Sequence, residues 1–132
     1  MWVGNSRTNY FRVKDASAFR AAMEPLEVEV VESGDKLGLL SSTDDGGFPT
    51  FNSSAEDGQE EIDLPGLVAS HLAEGEVAVF QSVGFDKSRY LTGYSSAVNH
   101  LGEEVAVNLD DIYKRAADTF KVPVESISTA TY

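Results

Sequence analysis

The chain has no cysteine among its 132 residues, which excludes disulfides, thiolate metal sites and cysteine nucleophiles. Histidine is nearly as scarce, with two residues, and neither stands in the spacing that a three- or four-ligand zinc site needs. Long hydrophobic runs are missing as well. Val77-Ala78-Val79-Phe80 is typical of the longest, far short of the roughly 20 apolar residues of a membrane span. The opening segment, Met1 to Arg7, lacks the apolar stretch of a secretory signal, so the expected address is the cytoplasm, for a bacterial protein that of the host cell. Positive charge is the last thing in short supply. Ten lysines and arginines face 22 carboxylates, for a net charge of −12. A chain this acidic repels nucleic acid and anionic lipid alike, so direct binding to either is not expected.

The distribution of charge says more than its sum. Fourteen carboxylates and a single lysine, Lys36, lie between Glu24 and Glu76, a formal charge of −13. The rest of the chain is close to neutral. A concentration of one sign sets up a directional field that draws cationic partners. A compact chain of this length is roughly 36 Å across, and duplex DNA of that length carries on the order of 20 phosphate charges. Imitation of nucleic acid is thus within reach of these side chains; so is plain solvation of exposed loops and strands, which needs no partner at all.

The apolar content, 42%, is that of a globular chain, and the length suits one domain spanning 1–132. Tyr10-Phe11-Arg12-Val13 reads as a short strand. Asp15 has the chemistry of an N-cap, and Ala18, Phe19, Ala22, Met23 and Leu26 recur at helical spacing up to the break at Pro25. Val28 and Val30 alternate with Glu27 and Glu29, which predicts a half-buried strand with an acidic outer face. A turn at Ser33 to Lys36 returns the chain as Leu37 to Leu40. Residues 41–62 are expected to be an acidic, mobile loop, with Phe48 to Phe51 a brief edge strand. Asp63 then caps a second helix with Pro65 in its first turn and Gly75 as its stop. The gly-rich positions Gly34, Gly38, Gly46 and Gly47 read as turn residues.

Strands over 76–83, 89–99 and 103–108 follow, with links too short for parallel crossovers, so an antiparallel meander is predicted. A last helix presents Leu109, Ile112, Tyr113, Ala116 and Phe120 to the core and stops at Pro123, leaving a short tail from 124 to 132. The expected fold class is α+β: a largely antiparallel sheet with about three helices in a two-layer sandwich.

Motifs for chemistry are sparse. Asp44-Asp45 before two glycines, and the group Glu56, Asp57, Glu60 and Glu61, offer oxygens to calcium, but no segment has the alternation of an EF-hand loop. His71 lies among Leu67, Val68 and Leu72 and reads as a structural histidine; His100 reads as a turn residue. No nucleophile elbow and no phosphate-binding glycine loop is present. The expectation is a protein that is not an enzyme and uses no cofactor or metal. Basic residues gather near the N-terminus (Arg7, Arg12, Lys14, Arg20) and in the last helix (Lys114, Arg115, Lys121). They read either as ordinary polar faces or as a second pole that would pair with the acidic one in a homodimer. Tyr90, Thr92 and Tyr94 alternate with Leu91 and Gly93, so one set is expected inward and the other toward water or a partner.

The stretches Ser6 to Lys14, Glu61-Ile62-Asp63-Leu64-Pro65, Glu74 to Val79, Arg89 to Tyr94 and Asn108 to Tyr113 resemble a group of small proteins of bacterial phages, plasmids and other mobile elements. The likeness covers about two thirds of the chain and omits the loop between residues 41 and 60. It carries no catalytic residue. Small acidic proteins of mobile elements include anti-CRISPR and anti-restriction inhibitors, several of which mimic nucleic acid. The resemblance therefore implies an acidic inhibitor that binds a basic nucleic-acid-binding protein or a CRISPR or restriction complex. The contact surface expected for it comprises Glu27, Glu29, Asp44, Asp45, Glu56, Asp57, Glu60, Glu61 and Asp63. The competing expectation is an interaction or regulatory module that binds through apolar and aromatic contacts, with a small enzyme further off.

Overall fold

A computed structural model describes residues 2–52, 60–86 and 90–130. The fold is α+β: a six-stranded antiparallel sheet and three helices. The strands and helices run β1 (Trp2–Thr8), α1 (Ala16–Met23), β2 (Val28–Ser33), β3 (Lys36–Ser41), β4 (Phe51–Asn52), β5 (Glu60–Glu61), α2 (Leu64–His71), β6 (Val77–Asp86), β7 (Tyr90–Asn99), β8 (Glu104–Asn108) and α3 (Asp111–Phe120), followed by a 3-10 turn at Val124–Ser126. Strand order in the large sheet is β2-β3-β1-β6-β7-β8, and β4 and β5 form a separate two-stranded ribbon. The predicted meander of β6, β7 and β8 is present, in register from Val77↔Asn99 to Asp86↔Tyr90 and from Tyr94↔Asn108 to Val98↔Glu104.

Local sequence explains the first two helices. The Asp15 carboxylate accepts hydrogen bonds from the Ser17 and Ala18 amides, and Asp63 does the same for Gly66, so both helices begin where a capping acid meets orphan N–H groups. Both helices lie on one face of the sheet. There Phe19 and Met23 of α1 and Leu64, Val68 and Leu72 of the α2 region meet Leu37, Leu39, Ala78, Phe80 and Val98 from the strands. Phe11 is fully buried and meets Phe19 edge to face at 5.8 Å. As expected, Val28 and Val30 pack against this core while Glu27 and Glu29 are exposed.

The first strand differs from expectation. It is Trp2–Thr8, and Phe11 and Val13 contribute only isolated bridges, to Leu37 and Leu72. Among the described side chains the inward positions of β1 are Gly4, Ser6 and Thr8, which carry no hydrophobic periodicity; seven register pairs with β6 hold the strand in place instead. At its end the ladder is continued by side chains. Thr8 Oγ1 accepts from the Leu39 amide at 2.8 Å and donates to the Asn9 carbonyl at 2.7 Å. On the other flank the Asn9 amide group accepts from Val79 N at 2.8 Å and donates to the Val77 carbonyl at 3.1 Å. Gly38 belongs to this joint and not to a turn: a Cβ there would lie 2.9 Å from the Asn9 carbonyl oxygen.

Two further expectations are corrected. Helix α2 stops at His71 and not at Gly75, because Leu72 turns extended to bridge Val13, leaving Gly75 (φ 82°) to the turn before β6. Helix α3 does not present its stripe to the core: Ile112 is 60% and Phe120 71% exposed, and Ala117 alone of its residues is buried. The link from β8 is too short to carry α3 over to the helical layer. Leu109 N donates to Gly93 O at 2.7 Å, and the Asp111 carboxylate accepts from Asn108 N. The helix instead keeps company with its own tail, where Tyr113 Oη accepts from Ala130 N.

Replacing Thr8 by valine keeps the shape but strands the buried Leu39 N–H. Thr8→Val is expected to cost about 1–3 kcal/mol, read as a lowered midpoint in urea, whereas Thr8→Ser, which keeps the acceptor, loses less.

Candidate interaction surface

The expected contact acids fall in three places. Glu27 and Glu29 border the edge strand β2. Glu29 pairs with Leu40 on the sheet face away from the helices, and Glu27 O accepts from Ser42 N, which brings Glu27 beside the start of the 43–46 turn. Asp44 and Asp45 sit in that turn, both exposed. Glu60 and Glu61 form β5, paired with Asn52 and Phe51. Asp63 caps α2 in the helical layer. Glu56 and Asp57 lie outside the described residues. The described acids therefore pass from the open face of the sheet, round the 43–46 turn, to the helical side; they do not share one plane.

Their jobs differ. Asp45 is spent locally: its Oδ1 accepts from Gly47 N at 2.9 Å and from Thr43 Oγ1 at 3.1 Å. The turn is clasped to β1 by the Gly4 N–H, which donates to Asp45 O at 2.9 Å, and a side chain at Gly46 (φ 88°) would run into the Gly4 carbonyl. Asp63 is spent on the helix cap. Glu27, Glu29, Asp44 and Glu61 make no ion pair with a described residue, and their carboxylates remain for solvent or a partner.

Two of the N-terminal basic residues are engaged by acids. Arg12 Nε donates to Asp35 Oδ2 at 2.9 Å, and the Arg12 backbone N–H donates to Glu76 Oε1 at 2.7 Å. Arg20 pairs with Glu32. Two of the N-terminal cations are thus set among the central acids, where they tie α1 and the preceding loop to the β2–β3 hairpin. The Arg12 hydrogen bond and charge hold the Asp35 carboxyl below the usual aspartate range, and the same contact raises Arg12.

The histidines take structural places. His71 stands edge-on to Phe19 with ring centroids 5.8 Å apart, and its backbone O accepts from Lys14 N. His100 Nδ1 accepts from Gly75 N at 3.2 Å, joining two turns. Among the described residues no three His, Asp or Glu side chains gather as a metal ion requires, and no helix is long and apolar enough to cross a membrane.

A second surface was not read from the sequence. Helices cover one face of the sheet only, and on the other face Val77, Val83, Phe85, Leu91, Val105 and Val107 are exposed. Tyr94 points to the helical side and is still 44% exposed, beside a cleft of about 360 Å³ that includes Phe48, Ile62, Leu64 and Phe80. Among the described side chains, Leu91, Thr92 and Tyr94 of β7 are all exposed, so neither face of the strand is closed off there. The signal for the open face is that β6 and β8 put their valines, Val77, Val79, Val83, Val105 and Val107, on one parity, the face where alternation in a one-sided sheet places polar residues.

Compared with known protein families, curated proteins and solved structures, the chain matches none. The residues alone must carry the functional reading.

Two predictions follow from the local roles. Asp45→Ala, which empties the turn of its acceptor, is expected to lower stability by about 1 kcal/mol, while Asp44→Asn stays within about 0.5 kcal/mol; paired urea melts compare them. In a carboxyl-detected NMR titration the Asp35 midpoint should fall below the ordinary value of about 3.9 and return to it in Arg12→Gln. Because the folded-state pKa is the lower one, the pair's contribution to stability is complete above the ordinary aspartate range and is lost as pH falls through the depressed value.

Proposed function

We propose that the protein is a stoichiometric inhibitor that binds a basic, nucleic-acid-handling protein or complex of a bacterial defence system, in the host cytoplasm, and denies nucleic acid its groove. The observation that carries this reading is the ridge of exposed carboxylates at Glu27, Glu29, Asp44 and Glu61, which have no cation of their own among the described residues. A cleft that normally takes phosphates would meet carboxylates at the same charge sign, and long-range attraction would speed the encounter. Asp45 and Asp63 support the ridge by fixing the turn and the helix end that bear their neighbours. Such a mode of action needs no catalytic group and no cofactor.

The open sheet face favours a second reading, an interaction module that works through apolar contacts. The two differ in salt dependence. Exposed charges separated by more than about 8 Å are largely screened at physiological ionic strength, and apolar contacts are not weakened by salt.

Affinity capture from a bacterial lysate, at about 0.1 M and about 0.5 M salt, separates them. The inhibitor reading expects subunits of a CRISPR or restriction complex that are retained at low salt and lost at high salt. The triple variant Glu27→Lys, Glu29→Lys, Asp44→Lys should bind the captured complex at least about tenfold more weakly, or about 1.4 kcal/mol, with its thermal midpoint nearly unchanged. Retention of the same partner by the triple variant would overturn the electrostatic reading, and equal retention at both salts would move it to the apolar face.

A further inference from the structure

The strand positions on the open face of β6, β7 and β8 carry no charge; among the described residues, charges stand only at its borders, Glu103 where its carboxylate accepts from Asn99 Nδ2 and Arg7 of β1 opposite Gln81. Twelve strand positions point to this face, from Val77 to Phe85 on β6, Leu91 to Asn99 on β7, and Val105 and Val107 on β8, each at every second residue. An exposed surface of ordinary composition would place about three charged side chains there; the sequence places none. The exposed apolar area, with Val3 of β1 at its border, comes to roughly 600 Å², at the upper end of what a monomer usually shows.

We infer that a second copy of the chain covers this face, in a twofold dimer with the two sheets back to back. Three observations select that occupant. A molecule with a net charge of −12 repels its own copies wherever its acids face one another, and this is the patch where they do not. The acidic edge at Glu27 and Glu29 lies beyond β1 and β3, at the opposite border of the sheet from β8. Two copies joined through β6–β8 would bury about 1,200 Å² in total, above the roughly 1,000 Å² that a specific interface needs.

The relief of the face is self-complementary, as an isologous interface demands. On the open side β7 carries the small residues Gly93, Ser95 and Ala97, flanked by the valine rows of β6 and β8. Shallow grooves run along this strand, one bordered by Val83, Ser95 and Val107, the other by Val77, Ala97 and Val105 with Glu103 and Glu104 at its end. Under a twofold axis the β8 row of each copy enters the β7 groove of the other. Leu109, whose side chain lies against Gly93, closes one end of the groove. The acidic ridges are then carried at the far ends of the dimer, so the assembly presents two of them. The inference uses a different surface from the inhibitor reading and stands or falls separately.

Sedimentation velocity of the full chain from about 1 to 100 μM, across the range of weak to moderate protein–protein affinities, is expected to show a dimer. Val107→Glu and Val83→Glu should shift the chain to monomer, weakening association more than tenfold while the far-UV circular dichroism stays the same. Because the chain has no cysteine, Ser95→Cys gives a single thiol for a spin label. Two such labels should couple across the interface, since packed sheets lie about 10 Å apart. A monomer at every concentration overturns the inference, as does a dimer indifferent to both glutamates or one whose Ser95 labels are far apart. A monomer with an immobilised Ser95 label would assign the face to the chain's own α3 and overturns it equally.

Discussion

The fold turns on the joint at Thr8 and Asn9. Strand β1 is central, with the β2–β3 hairpin on one side and the β6–β8 meander on the other, and it must leave both neighbours at the same point. On the β3 side the Leu39 N–H would be stranded in a buried position. Two adjacent side chains take over, the Thr8 hydroxyl toward β3 and the Asn9 amide toward β6. Neither contact is strong by itself. The Thr8 contact matters because a buried N–H without an acceptor is costly, and the exposed Asn9 contacts extend the seven-pair ladder of β1 and β6 by one step. Gly38 permits the approach because any larger residue would meet the Asn9 carbonyl.

Charge and burial divide the molecule differently. The helical layer closes over β2, β3, β1, β6 and the Ser96–Val98 end of β7, and Arg12 and Arg20 bind the central acids into that half. The other half, the rest of β7 with β8 and α3, is thinner. Its strands are paired, yet apolar side chains on the open face and along α3 remain in contact with water. The acidic border at β2 and the apolar strand positions of β6 to β8 thus stand at opposite ends of the same small sheet.

The parts legible in the sequence are those where one residue type meets one physical need. Asp15 and Asp63 announced helix starts because orphan amides need an acceptor; Val28 and Val30 announced a strand because only alternation serves a one-sided face. The short links around β7 required antiparallel neighbours. Strand β1 was illegible since Gly4, Ser6 and Thr8 are too small and polar to show a buried face, and its evidence lies some 80 residues away in β6. Helix α3 misled for the opposite reason. Its stripe has good helical period, but period tells which side is apolar and not what covers it. Of the acidic set, the sequence named the side chains but not their employment. Asp63 was legible as a cap, but that Asp45 serves the Gly47 amide while Glu27 and Glu29 stay available is settled by geometry that no spacing encodes.

The placement of β1 also governs the order in which the chain can assemble. Its side chains meet partners as distant as Ser82, 76 residues from Ser6, and its own hydrogen-bonding edge toward β6 stays open until that strand exists. During synthesis at roughly 5–20 residues per second, this edge waits several seconds beside a growing acidic segment that offers it no pairing. The native sheet therefore closes late, through contacts of high sequence separation, which makes for slow folding. The acidic segment made in the interval keeps such unfinished chains apart by mutual repulsion. The charge that marks the finished surface thus also guards the route to it.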